Sequence, residues 1–251
     1  MWSKDRHQRI LSLLQRNQQV NANDLADVLH VSRETVRRDL LELERAGLAD
    51  RVHGGAVLPS TEGEAPFETR KKAHSKAKHT IARKAVSLIA PGSSIMVDAG
   101  TTTTAFGKVL AKLSGIMVVT NSIEIAQTIS AAGSDIDLIL LGGQIVSDVP
   151  ATYGELTLSE IARFNVDQAF IAPVAVDAEQ GAFSFELAEA EVARAMVAQA
   201  SKTVLLCDRS KLGSTSRVRF CEAHQMHSLV TDDLAQPEQI APFEAASTVI
   251  V

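Results

Sequence analysis

Two hundred and fifty-one residues, 45% of them hydrophobic, exceed one average domain and fall short of three. No apolar run approaches the roughly 20 residues of a membrane-spanning helix, and Trp2-Ser3-Lys4-Asp5-Arg6 opens a polar segment where a signal peptide has an apolar core, so a cytoplasmic protein is expected. The net charge of −5 argues against uniform basicity, but residues 1–58 carry nine Lys/Arg against eight Asp/Glu, and the remainder sixteen against twenty-two.

Arg6 to Arg16 reads as a helix, with Ile10, Leu13 and Leu14 on one face. Asn21 or Asn23 caps a second short helix whose Leu25, Ala26 and Leu29 share a face. After His30-Val31, Ser32 caps a third helix in which Val36, Leu40 and Leu43 turn inward and leave Arg33, Thr35, Arg37, Arg38 and Glu42 outside. A helix of this kind fits the major groove, and guanidinium groups reach both phosphates and guanine edges there. Asp39, beside two arginines, is read as orienting them. Past Gly47, two short runs, Leu48–Val52 and Ala56–Leu58, flank His53-Gly54-Gly55 and form a hairpin, the wing that follows such a helix. The DNA-binding set is therefore Ser32, Arg33, Thr35, Arg37, Arg38, Arg51, His53 and Gly54.

Ser32-Arg33-Glu34-Thr35-Val36-Arg37-Arg38-Asp39-Leu40, followed by Gly47-Leu48 and Arg51-Val52-His53-Gly54-Gly55-Ala56, closely resembles the DNA-binding signature of the DeoR family. The resemblance implies that the third helix enters the major groove and that oligomers, dimeric or tetrameric, bind paired half-sites. Three segments are expected: a winged helix-turn-helix domain over 1–58, a linker over 59–74 that includes the Pro- and Gly-rich Pro59–Pro66, and an α/β domain over 75–251. In the resembling family a basic residue near Arg70 and another near Lys78 sit close to the sensor pocket.

From residue 94 onward, β-branched runs alternate with helical segments: 94–98, 116–120, 136–141, 168–172, 203–208, 228–231 and 248–251. Nearly continuous apolar strands separated by helices predict a mainly parallel sheet covered on both faces, with ligands at the carboxyl ends of its strands. Polar clusters follow those runs. Asp98-Ala99-Gly100-Thr101-Thr102-Thr103-Thr104 joins glycine and hydroxyls to a helix start, the chemistry of an anion cradle. Thr120-Asn121-Ser122, Gly142-Gly143 and Asp208-Arg209-Ser210-Lys211 stand after three further strands.

This series is similar to the DeoR-type sensor domain, which resembles ribose-5-phosphate isomerase and coenzyme A transferases in fold. It implies that a phosphorylated sugar or polyol binds at Arg70, Lys78, Asp98, Gly100, Thr101, Thr102, Thr103, Thr120, Asn121, Ser122, Gly142, Gly143 and Lys211. The chain departs from the family at Ala172-Pro173, where glycine and aspartate are common.

The expected function is a repressor of a carbohydrate-metabolism operon, relieved by that effector. Two alternatives are an isomerase-like enzyme with a DNA-binding head, using Glu186 or Glu189 as base, and a constitutive DNA binder. Cys207 and Cys221 have no metal-binding spacing, and no metal or cofactor is expected. Phe183 and Phe185 are read as core or pocket wall.

Overall fold

The computed structural model describes residues 3–17, 19–45, 48–52, 54–57 and 64–251. They fall into two compact units, Met1–Ala65 and Pro66–Val251. His53, Gly47, Leu58 at the end of the expected first domain and residues 59–63 of the expected linker lie outside the described residues.

In the first unit, helices α1 (Ser3–Asn17), α2 (Ala22–Leu29) and α3 (Arg33–Arg45) enclose Ile10, Leu14, Leu25, Leu29, Val36, Leu40 and Leu43. Burying each of these side chains contributes about 1.5–3 kcal/mol, which is what fixes three short helices that would not persist alone. Asn21 is the residue that caps α2, its side chain accepting the Asn23 N–H at 2.8 Å. Ser32 Oγ accepts the Thr35 N–H at 3.1 Å and so opens α3.

Strands β1 (Gln19–Asn21), β2 (Asp50–Val52) and β3 (Gly55–Val57) form an antiparallel sheet in the order β1-β3-β2. The wing thus has a third strand, β1, which the three-residue run Gln-Val-Asn did not announce. Gly55 permits it, because a Cβ there would lie 1.9 Å from the Val20 carbonyl oxygen.

The second unit starts with α4 (Phe67–Lys72) and α5 (Ser75–Val86), so residues 66–74, expected as linker, are folded. Then come β4 (Ser94–Val97), α6 (Thr101–Leu110), β5 (Ile116–Thr120), α7 (Ile123–Ala132), β6 (Ile136–Leu140), α8 (Glu155–Ile161) and β7 (Val166–Ile171). β8 (Ala175–Asp177), β9 (Gly181–Ser184), α9 (Leu187–Ala198), β10 (Ala200–Leu206), β11 (Val218–Cys221), β12 (Met226–Val230), α10 (Pro237–Ala245) and β13 (Val249–Ile250) complete it.

Among the described residues of this unit, seven strands form a wholly parallel sheet in the order β13-β12-β10-β7-β4-β5-β6. Alternate residues go to opposite layers. Ile95, Val97, Val118, Phe170, Val204 and Leu206 pack under α5, α6 and α7 through Ile81, Phe106, Leu110 and Ile125. Met96, Val119, Ala169, Ile171 and Leu205 face the other side with Ile161, Ala193, Met196 and Phe243 of α8, α9 and α10. A small antiparallel sheet, β11-β9-β8, was not foreseen.

The strand order has a functional consequence. From β4 the chain moves outward through β5 and β6, then returns to place β7 on the other side of β4. The crevice beyond the ends of β4 and β7 is therefore the topological switch point, where open α/β sheets take ligands.

Candidate nucleic-acid interface and effector site

On α3, Arg33, Arg37 and Arg38 are exposed, and no other described residue holds them in a hydrogen bond or ion pair. Arg33 and Arg37 stand one turn apart on the same face, as a groove-reading pair requires. Thr35 is half-buried and its hydroxyl lies 2.9 Å from that of Ser32, so these two residues form the helix start. Arg51 lies in β2 and the exposed Gly54, at φ +86°, lies in the hairpin turn, while His53 is outside the described residues.

Asp39 does not orient its arginine neighbours. It is 2% exposed and faces α1, where Arg6 grips both carboxylate oxygens at 2.7 and 2.8 Å and His7 approaches to 3.1 Å. Position 39 falls on the inward side of α3 with Val36, Leu40 and Leu43, so its partner has to come from the helix packed there. Burial pushes the carboxyl up, yet the Arg6 hydrogen bond and charge outweigh it and hold the group below its ordinary range.

At the switch point, the Asp98 backbone is fixed by its N–H to the Phe170 carbonyl at 3.0 Å. Its side chain is 8% exposed; one oxygen accepts the Ala99 N–H at 2.7 Å, and no described residue donates to the other. Burial and the nearby charge of Glu189 raise its pKa well above the ordinary carboxylate value, against the Ala99 N–H. Gly100 follows, packed so closely that a Cβ would come within 3.2 Å of the Ala172 Cβ. The departure at Ala172 thus fills the space opposite Gly100.

The threonine run divides its work. Thr103 donates to the Gly100 carbonyl at 3.0 Å, and the Thr102 and Thr104 hydroxyls are sealed without partners among the described residues. The run is therefore not a cradle of four hydroxyls. Of this run, Thr101 and the first-turn N–H groups of α6, which have no intrahelical acceptors, are the donors not taken up by the helix itself.

Thr120, Asn121 and Ser122 are buried and committed to the scaffold. Thr120 donates to the Val97 carbonyl at 2.7 Å, Asn121 accepts the Ala99 N–H at 3.0 Å, and Ser122 caps α7 at Ile125. They shape the Asp98–Gly100 corner from behind.

Gly142 donates its N–H to Glu160 at 2.6 Å and accepts from Thr157 at 2.7 Å. Gly143, at φ +146°, lets the chain approach Tyr153, since a Cβ would lie 2.6 Å from the Tyr153 carbonyl oxygen. This pair serves to position Tyr153, bridged to Gln144.

Each of the three expected cations has a defined partner. Lys78 is 5% exposed and its ammonium donates to the Arg70 carbonyl. Lys211 donates to the Pro173 carbonyl at 2.7 Å. Asp208, pushed up by burial, is nevertheless held low by Lys211, by its hydrogen bonds from Ser210 and by His74. Arg70 lies over the Phe67 ring at 5.7 Å, and the Phe67 N–H donates to Asp148 at 2.5 Å, which anchors α4.

Tyr153 was missed by the sequence reading, and Glu189 entered it only as a conceivable base. Both lie by Asp98: burial, then the charges of Glu189 and Asp98, raise the Tyr153 phenol well above its ordinary value, with Ser147 and Arg70 opposing. The one available signal was that Tyr153 is the only tyrosine in the chain.

The other expectations resolve simply. Phe183 is buried, whereas Phe185 is half-buried under Arg217, 3.9 Å from its ring centre. Cys207 and Cys221 are buried free thiols, and burial pushes Cys221 up to about 12. No helix among the described residues is long and apolar enough to cross a membrane.

Comparison with known proteins matches residues 6–62 to the DeoR-like helix-turn-helix domain and residues 73–233 to the DeoR C terminal sensor domain. The chain is 34% identical to the HTH-type transcriptional repressor GlcR of Bacillus subtilis (strain 168) over 93% of its own length and 90% of that protein. It is 32% identical to the glycerol-3-phosphate regulon repressor of Escherichia coli (strain K12), covering 92% of each. Among solved structures, a D-ribose-5-phosphate isomerase in complex with phospho-erythronic acid aligns with a TM-score of 0.40 at 19% identity, over 55% of this chain and 53% of that one. With both domains matched in order along one polypeptide, the chain belongs to the DeoR family of transcriptional regulators.

Proposed function

We propose that this protein represses a carbohydrate-metabolism operon and releases its operator when a phosphorylated sugar or polyol occupies the second unit. The single observation that carries the DNA-binding half is the exposed trio Arg33, Arg37 and Arg38, without partners among the described residues, on a helix whose opposite face is fully buried. Arginines left without protein partners keep their full capacity for phosphates and guanine edges. A homo-oligomer presenting two such helices reads paired half-sites.

The effector half rests on the switch point. The first turn of α6, Thr101, Lys78, Arg70 and Lys211 supply positive potential and donors at the strand ends. The relative named as a glycerol-3-phosphate regulon repressor fits this chemistry. No catalytic step is assigned. The loop from Ala172 to Val176 holds no acid, and Glu186 is exposed at the cap of α9.

The test is fluorescence anisotropy with DNA from upstream of the protein's own gene. Binding should be tight and salt-dependent, and a panel of sugar phosphates should contain at least one that weakens it. An isotherm indifferent to every phosphate ester would defeat the gating half. Turnover of ribose 5-phosphate would defeat the non-catalytic assignment.

A further inference from the structure

Two segments back the Asp98–Gly100 corner, and hydrogen bonds tie them to each other. Asn121 Oδ1 accepts the Ala99 N–H at 3.0 Å, its Nδ2 donates to the Thr152 carbonyl at 3.2 Å, and its own carbonyl accepts the Thr152 N–H at 3.0 Å. A step further along each segment, the Ile123 N–H donates to the Pro150 carbonyl at 2.9 Å. Residues 121–124 and 148–152 are thus fastened to the corner as one piece.

The same piece holds both ends of α4. The Phe67 N–H at its start donates to Asp148 Oδ2 at 2.5 Å, and Lys71 in its last turn donates to Glu124 Oε1 at 2.5 Å. The Phe67 side chain is buried in the apolar cluster that includes Val149, Ala151 and Tyr153. A third fastening comes from α5, whose Lys78 ammonium donates to the Arg70 carbonyl.

A six-residue helix does not persist alone in water, because nucleation costs more than so few turns return. The order of α4 therefore depends on these fastenings. The pair formed by Lys71 and Glu124 makes that dependence steep: the second Glu124 oxygen is sealed without a hydrogen-bond partner among the described residues, so losing Lys71 leaves a largely buried carboxylate unmet. The joint between α4 and α5 is His74, a non-glycine residue at φ +51°, a backbone state that persists only where its surroundings enforce it. In the chain, α4 is also the first element past the boundary between the two units. Whatever shifts α4 shifts the point from which the chain leads to the first unit.

We infer that α4 is a strap that couples the corner to the DNA-reading unit: it is seated on Asp148 and Glu124 in one state of the second unit and unseated in the other. This rests on the proposed gating and names the element that transmits it. A short segment that passes between order and disorder supplies the two discrete states that coupling between separate sites requires. A ligand at the corner acts on the strap through Ala99 and Asn121, and the strap acts on the connecting chain.

The experiment uses the full-length protein and the duplex from upstream of its own gene, with glycerol 3-phosphate, glucose 6-phosphate and fructose 1-phosphate as probes. Anisotropy gives operator affinity with and without each ester, and the ratio of the two is the coupling. Calorimetry on DNA-free protein gives ester binding. For an ester that gates the wild type, Lys71→Met and Asp148→Ala should each bring the ratio toward one by about 2–30-fold, the range for residues that carry coupling without touching either ligand. Ester and operator should both still bind. Lys71→Glu should abolish the ratio in the same way, and adding Glu124→Lys, which restores the pair with its charges exchanged, should bring it back.

A coupling ratio equal to that of the wild type in both Lys71→Met and Asp148→Ala overturns the strap and leaves the gating standing. A wild type whose operator affinity ignores all three esters overturns the gating, and the strap with it. Should Lys71→Met fail to fold, Asp148→Ala decides, because the Asp148 side chain is exposed and its loss opens no cavity: a lowered ratio supports the strap, and an unchanged one refutes it.

Discussion

Asp39 and Asp98 are both almost completely buried, and the chain treats them in opposite ways. Asp39 is met by Arg6 and His7, so its ionised form is stabilised in the folded state. Its folded pKa lies below the ordinary 3.8, so the stabilisation is complete above that value and is lost as pH falls through the lower, folded one. Asp39→Asn should cost the first unit about 1.5–3 kcal/mol, the range for hydrogen bonds to charged groups. Urea unfolding at neutral pH checks this, and an unchanged midpoint would mean that Arg6 finds another partner at no loss. Asp98 has burial and Glu189 against it, so its folded pKa is raised. The sign is reversed: stability is fully present below 3.8 and declines as pH rises through the folded value. Asp98→Asn keeps an acceptor for the Ala99 N–H and removes the charge, so the free protein should melt higher at pH 7 while the effector-induced shift shrinks. A lower melting temperature would show that the ionised carboxylate has a partner after all.

At the scale of elements, the recognition helix and the parallel sheet were legible because their signals are local. Val36, Leu40 and Leu43 recur at helical spacing, and runs such as Ile116–Thr120 are apolar on both faces because helices cover both sides. β8, β9 and β11 escaped since Ala-Val-Asp, Gly-Ala-Phe-Ser and Val-Arg-Phe-Cys are three or four residues long with no alternation, and their pairing joins positions 34 or more residues apart for β9 and β11. The site was legible only in part. Corner motifs mark where strands end, but whether a hydroxyl opens to ligand or closes on its own backbone is decided by packing, which is why Thr103 and Asn121 turned inward. The convergence of Tyr153 and Glu189 on Asp98 is tertiary and has no linear trace. On α3, Arg37→Ala and Arg38→Ala should each flatten the slope of log affinity against log salt by about one unit for every DNA phosphate that is no longer neutralised. Anisotropy titrations between low and moderate salt measure that slope. If both variants keep it, another element grips the backbone.

The whole molecule joins two cores that share no residue: the cluster around Ile10, Val36 and Leu43 belongs to the first unit, and the two layers of the parallel sheet to the second. An effector bound to the second unit stabilises it by about 2.7 kcal/mol at a concentration one hundred times its Kd. For a unit of this size that corresponds to a melting shift of roughly 5–11 °C. Gating requires more than this, because a ligand with equal affinity for the operator-bound and free forms shifts nothing. Coupling is reciprocal, so whatever factor the effector takes from operator affinity, the operator takes from effector affinity. At a typical coupling of about 1–3 kcal/mol, operator-saturated protein should bind the effector about 5–150-fold more weakly than free protein. Calorimetric titration of the effector into the protein with and without a saturating operator duplex reads this directly. A weaker Kd in the presence of operator, matched by an equal loss of operator affinity in the presence of effector, is what a repressor relieved by its ligand must show. Identical effector affinities in the two titrations would leave a sugar-phosphate site and a DNA reader in one chain with no energetic link between them, and the gating would have to be abandoned.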